Sequence, residues 1–380
     1  MRIAFLDSSA MCYGTLNFFQ AKIQQTCENA GIETVIIKSI NESFFHEKWD
    51  AIIGINQNTF CHQLDDGTFI FDYCNCPLIS LIVDAPYYHE MQLSKHPKNL
   101  HLICLDENHV NYAKNHYEPF QSVRMAVLSG PVAQNPMPYE ERPISLLFTG
   151  TNHDCRQYRE QLRHAEHPVI MPLFDYIIEN NISNPDVTTE ESVIEFCRTH
   201  QVHYDEETFH TFMAHVGFTA ELYLRSYFRE KIVRILVDGG IDVTIAGEGW
   251  DKLFPEKPSN LHLLGALSFE DATELSGQAK ICLNVMPLFK AGMHDRILTG
   301  IQNGSLILTD SSSYIDSHFT DGENIVLFDL HHPELLPELV NNILADDSTA
   351  KEIIANGQKF IKSKYCWERF VLDNILSCLT

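Results

Sequence analysis

The chain has 380 residues, of which 44% are hydrophobic and 21% charged, and its formal net charge is −24 from 27 basic and 51 acidic residues. This length allows two domains, and the composition is that of an ordinary globular protein. An acidic excess of this size argues against DNA, RNA or an anionic membrane as the main partner. No apolar run reaches membrane-spanning length, so we expect no membrane span.

The start of the chain and its cysteines indicate a cytoplasmic protein. The first residues, MRIAFLDSSA, begin as a strand and lack the basic start, long apolar core and cleavage site of a signal peptide. The eleven cysteines are an odd number, and several, such as Cys12, Cys104 and Cys282, lie in or beside apolar runs. Reduced cysteines that fill the core explain this pattern best.

The first part of the chain alternates apolar runs with helical patterns. A helix is predicted over 13–30, closed by Gly31, and strands are predicted at 2–6, 33–37, 51–55, 77–83, 100–105 and 122–127. This alternation is typical of a parallel sheet covered by helices. Four prolines between 131 and 143 break regular structure and place a linker there, so we expect a first domain over 1–140.

A second alternating unit is predicted over 141–360. Its strands are expected at 144–148, 241–246, 261–264, 281–285, 305–310 and 325–328. A helical insertion is expected near 156–238, with a break near 180–186, and a further helix over 268–278. The last residues, 361–380, are predicted to form a helix that packs back on the first domain.

The stretch 280–310 indicates a ligand site, because it reads as strand, loop, helix and strand. In open parallel sheets, ligands bind beyond the carboxyl ends of the strands, where helix N-termini point. The predicted helix start carries Gly292, His294 and Arg296. Backbone N–H groups, the helix dipole and an arginine together favour a phosphate, although many such units bind nothing.

Four glycine-containing loops follow strands of the second unit and would open on one edge of its sheet. They contain Thr149 and Gly150, the run 247–250, the run 265–268, and the run 292–296. Glycine lets the backbone approach a ligand closely. The alternative is that glycine simply ends these strands.

The order of these motifs resembles the CgeB-like glycosyltransferases. The resemblance rests on Phe148-Thr149-Gly150, Gly247-Glu248-Gly249-Trp250, Leu264-Gly265, Ile281-Cys282-Leu283-Asn284, His294-Asp295-Arg296 with Gly304, and Thr309-Asp310. The patch Asp84-Ala85-Pro86-Tyr87-Tyr88 resembles the first domain of that family. The resemblance implies an α/β protein of the GT-B fold, with two Rossmann-like doubly wound domains facing across a cleft.

The resemblance also implies that the protein transfers a sugar from a nucleotide-diphosphate sugar to a protein, glycan or small-molecule acceptor. Lys290, His294 and Arg296 could stabilise the leaving diphosphate, and the sequence has no Asp-x-Asp motif, so no metal or other cofactor is expected. The acceptor would enter from the first domain and the donor would bind the second. The base and ribose would contact 247–250 and 265–268, and the diphosphate 292–296. The donor residues implied are Thr149, Gly150, Gly247, Glu248, Gly249, Trp250, Gly265, Ser268, Asn284, Lys290, Gly292, His294, Asp295, Arg296 and Thr299.

One position departs from the related retaining enzymes, which commonly carry a ribose-binding Glu where this chain has Thr299. If the reaction inverts the sugar, a base is needed, and the candidates are Asp7, Asp84 and His89, which follow predicted strands. Asp84 could equally cap a turn before Pro86. Two other readings stay open: a GT-B sugar isomerase or phosphorylase, and a catalytically silent sugar-nucleotide-binding scaffold.

Other clusters are better explained by packing or by a solvated surface. The histidines between 200 and 215 lie among acidic residues but fit no closed zinc pattern, so no metal site is predicted. Cys74 and Cys76 do not form a paired CxxC motif. The aromatic residues between 209 and 228 are expected to pack between helices rather than to stack on bases.

Overall fold

The computed structural model describes residues 1–8, 14–165 and 167–379. Cys12 and Tyr13, which entered the predictions above, lie outside these residues. The chain divides into two compact units. The first comprises 1–129 and 364–380, and the second comprises 130–363.

The first unit is built on a six-stranded parallel sheet with the strand order 2-1-3-4-5-6. Its strands are β1 (Arg2–Leu6), β2 (Glu33–Ile37), β3 (Ala51–Ile55), β4 (Leu78–Leu81), β5 (Leu100–Cys104) and β6 (Ser122–Met125). Its helices are α1 (Thr15–Asn29), α2 (Glu42–His46), α3 (Glu90–Leu93) and α4 (Glu107–His116). Every residue of β3 and β4 is buried, as expected for central strands of a parallel sheet with both faces covered.

The second unit contains another six-stranded parallel sheet, with the strand order 12-11-10-7-8-9. Its strands are β7 (Ile144–Thr149), β8 (Val243–Ala246), β9 (Leu261–Gly265), β10 (Ala279–Asn284), β11 (Leu306–Asp310) and β12 (Val326–Phe328). Its helices are α5 (Arg156–Leu162), α6 (Ile170–Ser183), α7 (Thr189–Thr199), α8 (Glu206–Thr211), α9 (Phe218–Asp238), α10 (Trp250–Leu253), α11 (Phe269–Ser276), α12 (Asp295–Gln302), α13 (Ser313–His318), α14 (Leu336–Ala345) and α15 (Asp347–Lys364).

The segment between β7 and β8, where the sequence predicts a helical insertion, contains α5 to α9. The predicted break separates α6 from α7, and a capping box at Thr188 starts α7: its hydroxyl accepts from Glu191 N, while the Glu191 side chain accepts from Thr188 N. A π-helical segment, Phe212–Gly217, joins α8 to α9. The resulting α9 is 21 residues long and carries side chains to the sheet of this unit.

The proline-rich segment is held to the second sheet by Arg142, which is 8% exposed. Its guanidinium donates to Met137 O at 3.0 Å, to Ala279 O at 2.8 Å and to Asn303 O at 2.8 Å. These bonds satisfy backbone carbonyls at the amino end of the sheet, away from the edge where ligands bind in such folds. Arg142 therefore has a structural role.

The last segment contains α16 (Trp367–Phe370) and belongs to the first unit. Trp367 packs against Phe18 and Phe19 of α1, with ring centroids 6.1 and 6.2 Å apart. The cysteines that the structure describes are all free thiols. None of the helices formed by the described residues has both the length and the apolar character needed to cross a bilayer.

Candidate functional site

The loops that follow β7 and β8 pack tightly on each other at the carboxyl edge of the second sheet. Gly150 N donates to Ala246 O at 2.8 Å, and Asn152 N donates to Glu248 O at 3.0 Å. A Cβ at Gly247 would collide with the carbonyl of Gly150, and a Cβ at Gly249 with the carbonyl of Asn152. These two glycines are therefore needed for contact between loops, whereas the sequence suggested contact with a ligand.

Trp250 corrects one sequence-based expectation, because its indole is only 1% exposed. Nε1 donates to Gly150 O at 2.8 Å, and the ring packs on Phe148 at a centroid distance of 5.6 Å. Buried in this way, Trp250 fixes the two loops and presents no face to a base. Glu248 beside it is exposed.

In the loop after β9, polar groups that the sequence suggested for ligand binding are already hydrogen-bonded within the protein. Ser268 is the N-cap of α11: its hydroxyl accepts from Asp271 N at 3.0 Å and donates to Asp271 Oδ2 at 2.8 Å. Gly265 O accepts from Gly247 N at 2.8 Å. The loop is therefore held by its own hydrogen bonds and by the β8 loop.

The start of α12 is organised by His294, its N-cap residue. His294 Nδ1 lies 2.8 Å from Asp295 Oδ1 and 3.3 Å from Arg296 N. One nitrogen cannot donate to the carboxylate and accept from the N–H at once, and the shorter contact requires the proton on Nδ1. Nε2 of the neutral ring then carries the lone pair.

The pKa values of His294 and Asp295 at this helix start are both shifted by their surroundings. Burial and the neighbouring Arg296 lower the pKa of His294, so the ring is neutral near pH 7. Burial alone would raise the pKa of Asp295, but the interactions with His294 and Arg296 outweigh it and lower that pKa. In this state His294 carries no charge, and the permanent positive charge at this helix start belongs to arginine.

Three guanidinium groups supply that charge: Arg296 at the start of α12, and Arg225 and Arg229 one turn apart on α9. Arg229 is 9% exposed, and its Nη1 donates to Thr151 O at 3.0 Å. Burial, followed by the charges of Arg296 and Arg225, lowers the pKa of Arg229 well below its usual value. Burial, opposed by Asp295 and reinforced by Arg225, also lowers the pKa of Arg296. We name Arg225, Arg229 and Arg296 the arginine cluster.

Two nitrogens of the arginine cluster lack partners. Arg229 Nε and Arg296 Nη1 are both buried and make no hydrogen bond to any residue that the structure describes. An unsatisfied buried charged donor is costly, and mutual repulsion of the guanidiniums adds to the cost. The cluster is therefore suited to an anion that bonds to both donors and offsets the repulsion.

Asp310, at the end of β11, is the buried acidic group beside this cluster. It is 2% exposed, and its Oδ1 accepts from Met286 N at 2.8 Å. Burial raises the pKa of Asp310 to about 7, although the Met286 N–H and the charges of Lys290 and Arg229 oppose the shift. The carboxyl group thus titrates near neutral pH.

The remaining predicted donor residues have the following surroundings. Asn284 Nδ2 donates to Thr309 Oγ1 at 3.0 Å, and the Thr299 hydroxyl donates to Asp295 O at 3.0 Å. Lys290 Nζ donates to Pro185 O, which ties it to the segment between α6 and α7. The Gly292 carbonyl accepts from the Ser312 hydroxyl at 2.6 Å. The structure thus gathers Asn284, Asp295 and Arg296 around the strand ends and uses Lys290 partly for packing.

The candidate bases lie at the carboxyl edge of the first sheet, and Asp84 is held there by Asn56. Asn56 follows β3 with a φ of 51°, in the left-handed region. Its side chain donates to Asp84 Oδ2 at 3.3 Å and accepts from Val83 N at 3.0 Å. Strained backbone of this kind persists only where several contacts fix it, and here those contacts orient Asp84.

His89 lies near Asp84 and is 7% exposed. Burial lowers the pKa of His89, and the charge of Asp84 partly raises it again. Its Nε2 has no hydrogen-bond partner within the described parts of the chain. Asp7, the third candidate base, follows β1, and its carbonyl accepts from Asn58 Nδ2 at 3.0 Å.

The sequence reading missed Arg225, Arg229 and Asn56. The arginines lie four residues apart on α9, where such spacing ordinarily marks a solvated helix face. Only the packing of α9 on the sheet shows that they are directed toward α12. Asn56 carried a weak signal, because asparagine tolerates the left-handed region better than other side-chain-bearing residues.

The two six-stranded parallel sheets confirm the prediction of two Rossmann-like domains, and the similar solved structures described below identify the GT-B fold. Residues 225–376 match a protein-family model described as "Glycosyl transferase-like". That match includes all three residues of the arginine cluster. A comparison with curated protein sequences finds no match.

Two solved structures with TM-scores above 0.5 support the same fold. The chain is similar to sucrose-phosphate synthase from Thermosynechococcus elongatus, with a TM-score of 0.56 and 9% identity over 98% of this chain and 97% of that one. It is also similar to T4 phage BGT in complex with its UDP-glucose substrate, with a TM-score of 0.55 and 12% identity over 100% and 99% of the two chains. A third match, TarM, has a TM-score of 0.49 and 13% identity; it covers 87% of this chain, which spans only 54% of TarM.

Proposed function

We propose that the protein is a glycosyltransferase that moves a sugar from a nucleotide-diphosphate sugar to a protein, glycan or small-molecule acceptor. The donor binds the second unit and the acceptor is presented to the first. The glycosyl transferase-like match over 225–376 supports this class of reaction. The UDP-glucose complex of T4 phage BGT, a protein of similar fold, supports this class of donor.

The observation that carries the proposal is the pair of unsatisfied guanidinium nitrogens, Arg229 Nε and Arg296 Nη1, at the carboxyl edge of the second sheet. Their chain has a net charge of −24, so its overall field repels anions. A cluster of buried positive charges in so acidic a protein is best explained by an anionic ligand that binds there. A diphosphate fits, because it offers several anionic oxygens to guanidinium donors.

The arginine cluster also suits the chemistry. Breaking the bond between the anomeric carbon and the diphosphate oxygen leaves negative charge on the diphosphate. Preorganised guanidinium donors stabilise that charge as it develops. We therefore propose that the leaving group is stabilised by the protein's own cations. If the reaction inverts the anomeric carbon, the base that takes the proton of the acceptor hydroxyl is one of Asp7, Asp84 and His89.

The test is binding and turnover of a panel of nucleotide-sugars by the wild type and by Arg296→Ala. The matched control is Arg163→Ala, because Arg163 is exposed and forms an ion pair with Glu160 at 3.0 Å. We expect at least one nucleotide-sugar to bind the wild type and the control equally. Arg296→Ala should bind it about 10- to 100-fold more weakly, since a charge-assisted hydrogen bond is lost.

Turnover separates the alternatives. Donor hydrolysis or transfer by the wild type, reduced in Arg296→Ala, supports the proposal. Rearrangement or phosphorolysis of a sugar would identify an isomerase or a phosphorylase. Binding with no turnover, even with a broad acceptor mixture, would identify a silent binding protein. If no nucleotide-sugar binds, the donor assignment is wrong.

A further inference from the structure

Asn152, in the loop after β7, carries a buried acceptor whose orientation is fixed. The side chain is 1% exposed, and Nδ2 donates to Ser226 O of α9 at 3.1 Å. A backbone carbonyl can only accept, so the amide cannot be flipped without losing this bond. Oδ1 therefore points away from Ser226, and it has no hydrogen-bond donor in the regions that the structure describes.

Asn284, at the end of β10, presents a second fixed acceptor. It is 1% exposed, and Nδ2 lies 3.0 Å from Thr309 Oγ1. The Thr309 hydroxyl gives its only proton to Asp310 O at 2.9 Å, so toward Asn284 it can only accept. Asn284 Oδ1 is thereby fixed as a buried acceptor, again without a donor among the described residues.

Both amide oxygens belong to the same sheet edge as the arginine cluster. Asn152 is bonded to α9, and Arg229 of the same helix donates to Thr151 O, one residue before Asn152. Asn284 pairs in register with Thr309, which precedes Asp310. This edge therefore combines two unsatisfied cationic donors with two unsatisfied neutral acceptors.

A ligand that satisfies all four groups must present anionic oxygens and hydrogen-bond donors in one molecule. Inorganic diphosphate has the former and, when fully ionised, none of the latter. A nucleotide-sugar has both, because its ribose and its sugar carry hydroxyl groups. We infer that Asn152 and Asn284 are specificity-determining residues whose Oδ1 atoms accept hydrogen bonds from ligand hydroxyls; this inference rests on the proposed donor site.

Such a role has a consequence for selectivity. A site whose buried polar groups are left unpaired rejects ligands that lack the matching hydroxyl. Removing either oxygen should weaken binding only of ligands that carry the hydroxyl it contacts. The arginine cluster, in contrast, should affect every ligand that contains the diphosphate.

The experiment is calorimetric titration of the full-length protein with three types of probe. These are pyrophosphate, the diphosphates of uridine, guanosine and adenosine, and the glucose esters of the same diphosphates. The variants are Asn152→Ala and Asn284→Ala. The matched control is Asn260→Ala, because Asn260 Nδ2 also donates to backbone carbonyls, Val237 O and Ile241 O, both at 2.8 Å, at the other end of the strands.

We expect each variant to bind pyrophosphate as the wild type does and to lose about 3- to 10-fold in affinity for a hydroxyl-bearing probe, the effect of one hydrogen bond. A loss already seen with the nucleoside diphosphate assigns that residue to the nucleoside, and the 2′- and 3′-deoxy forms of that nucleotide then identify a ribose hydroxyl. A loss seen only with the glucose ester assigns it to the sugar. The control should leave all three affinities unchanged.

Two results would overturn the inference while leaving the donor site intact. One is unchanged affinity of both variants for every probe that binds the wild type. The other is an equal loss for pyrophosphate, which would mean that the substitution distorts the arginine cluster. Failure of all these probes and of the whole nucleotide-sugar panel to bind the wild type would instead refute the proposed function itself.

If a variant does not fold, the inference is tested on the wild-type protein instead. Folding is judged from the melting temperature against that of Asn260→Ala. The wild type is then titrated with single-deoxy analogues of its bound ligand. At least one analogue should bind about 3- to 10-fold more weakly, and equal affinity for all of them would count against the inference.

Discussion

Asp310 accepts a 2.8 Å hydrogen bond from the backbone N–H of Met286, and this bond joins the end of β11 to the loop after β10. The carboxyl group remains buried in spite of this bond, and its pKa is raised to about 7 from an ordinary value of 3.8. Between these two values the unfolded chain has released the proton that the folded protein still holds. Asp310 therefore lowers stability as the pH rises through this window.

The first prediction concerns Asp310→Asn. The amide keeps an oxygen for the Met286 N–H and cannot ionise, so we expect the variant to be more stable than the wild type above pH 7. The gain in unfolding free energy should be about 1–4 kcal/mol at pH 8 and should vanish near pH 4. Urea unfolding at several pH values measures this, and a gain that does not depend on pH would contradict it.

The second prediction is that a simple divalent anion stabilises the arginine cluster. Sulfate should raise the melting temperature of the wild type more than sodium chloride of equal ionic strength does. Arg296→Ala should lose about 2–4 °C of that rise, the change expected for roughly 1 kcal/mol of binding energy. Arg163→Ala is the control for general salt effects. Equal sulfate responses in all three proteins would argue against an anion site.

The third prediction compares two glycines with positive φ. Gly249 (φ 84°) lies against the Asn152 carbonyl, whereas a Cβ at Gly265 (φ 73°) would meet no atom within 4 Å. Gly265→Ala should cost only backbone strain, about 1–2 kcal/mol. Gly249→Ala should cost about 1–3 kcal/mol more, because the loops must separate. Urea unfolding gives both values, and equal costs would show that the loops can move apart freely.

The fourth prediction concerns Asp84 and His89. The Asp84 carboxylate raises the pKa of His89 against the effect of burial. Asp84→Asn removes that charge, so the His89 pKa should fall further below 6.5. Titration of the imidazole resonances by NMR measures the change, with His262→Gln as an assignment control at an exposed site. An unchanged His89 pKa would show that the charge of Asp84 does not act on His89.

The sequence predicted the strands well because each is a compact apolar run. Those at 33–37 and 51–55 coincide with β2 and β3. Helix ends were predicted less accurately than strands. The helix predicted over 13–30 spans Thr15–Asn29 in the structure. The order of the strands within each sheet depends on tertiary packing, so the hydrophobic periodicity of the sequence could not predict it.

The site was predicted in part. The stretch 292–296 was recognised because glycine, histidine and arginine at a helix start suggest an anion. The neutral state of His294 and the burial of Trp250 were not foreseen, since both depend on neighbours distant in sequence. Arg229 lies 67 residues before Arg296 in the chain, and only the packing of α9 brings their charges together. The subfamily suggested by the motif order stays a prediction.

The first unit is assembled from the two ends of the chain, while the second is one continuous segment. During synthesis on a ribosome, residues 130–363 are polymerised before Trp367, so the first unit cannot complete its packing until the whole of the second unit has been made. The α1 surface that carries Phe18 and Phe19 must wait for its last packing partner. Nascent chains stalled before residue 364 should therefore expose those two rings to chaperones.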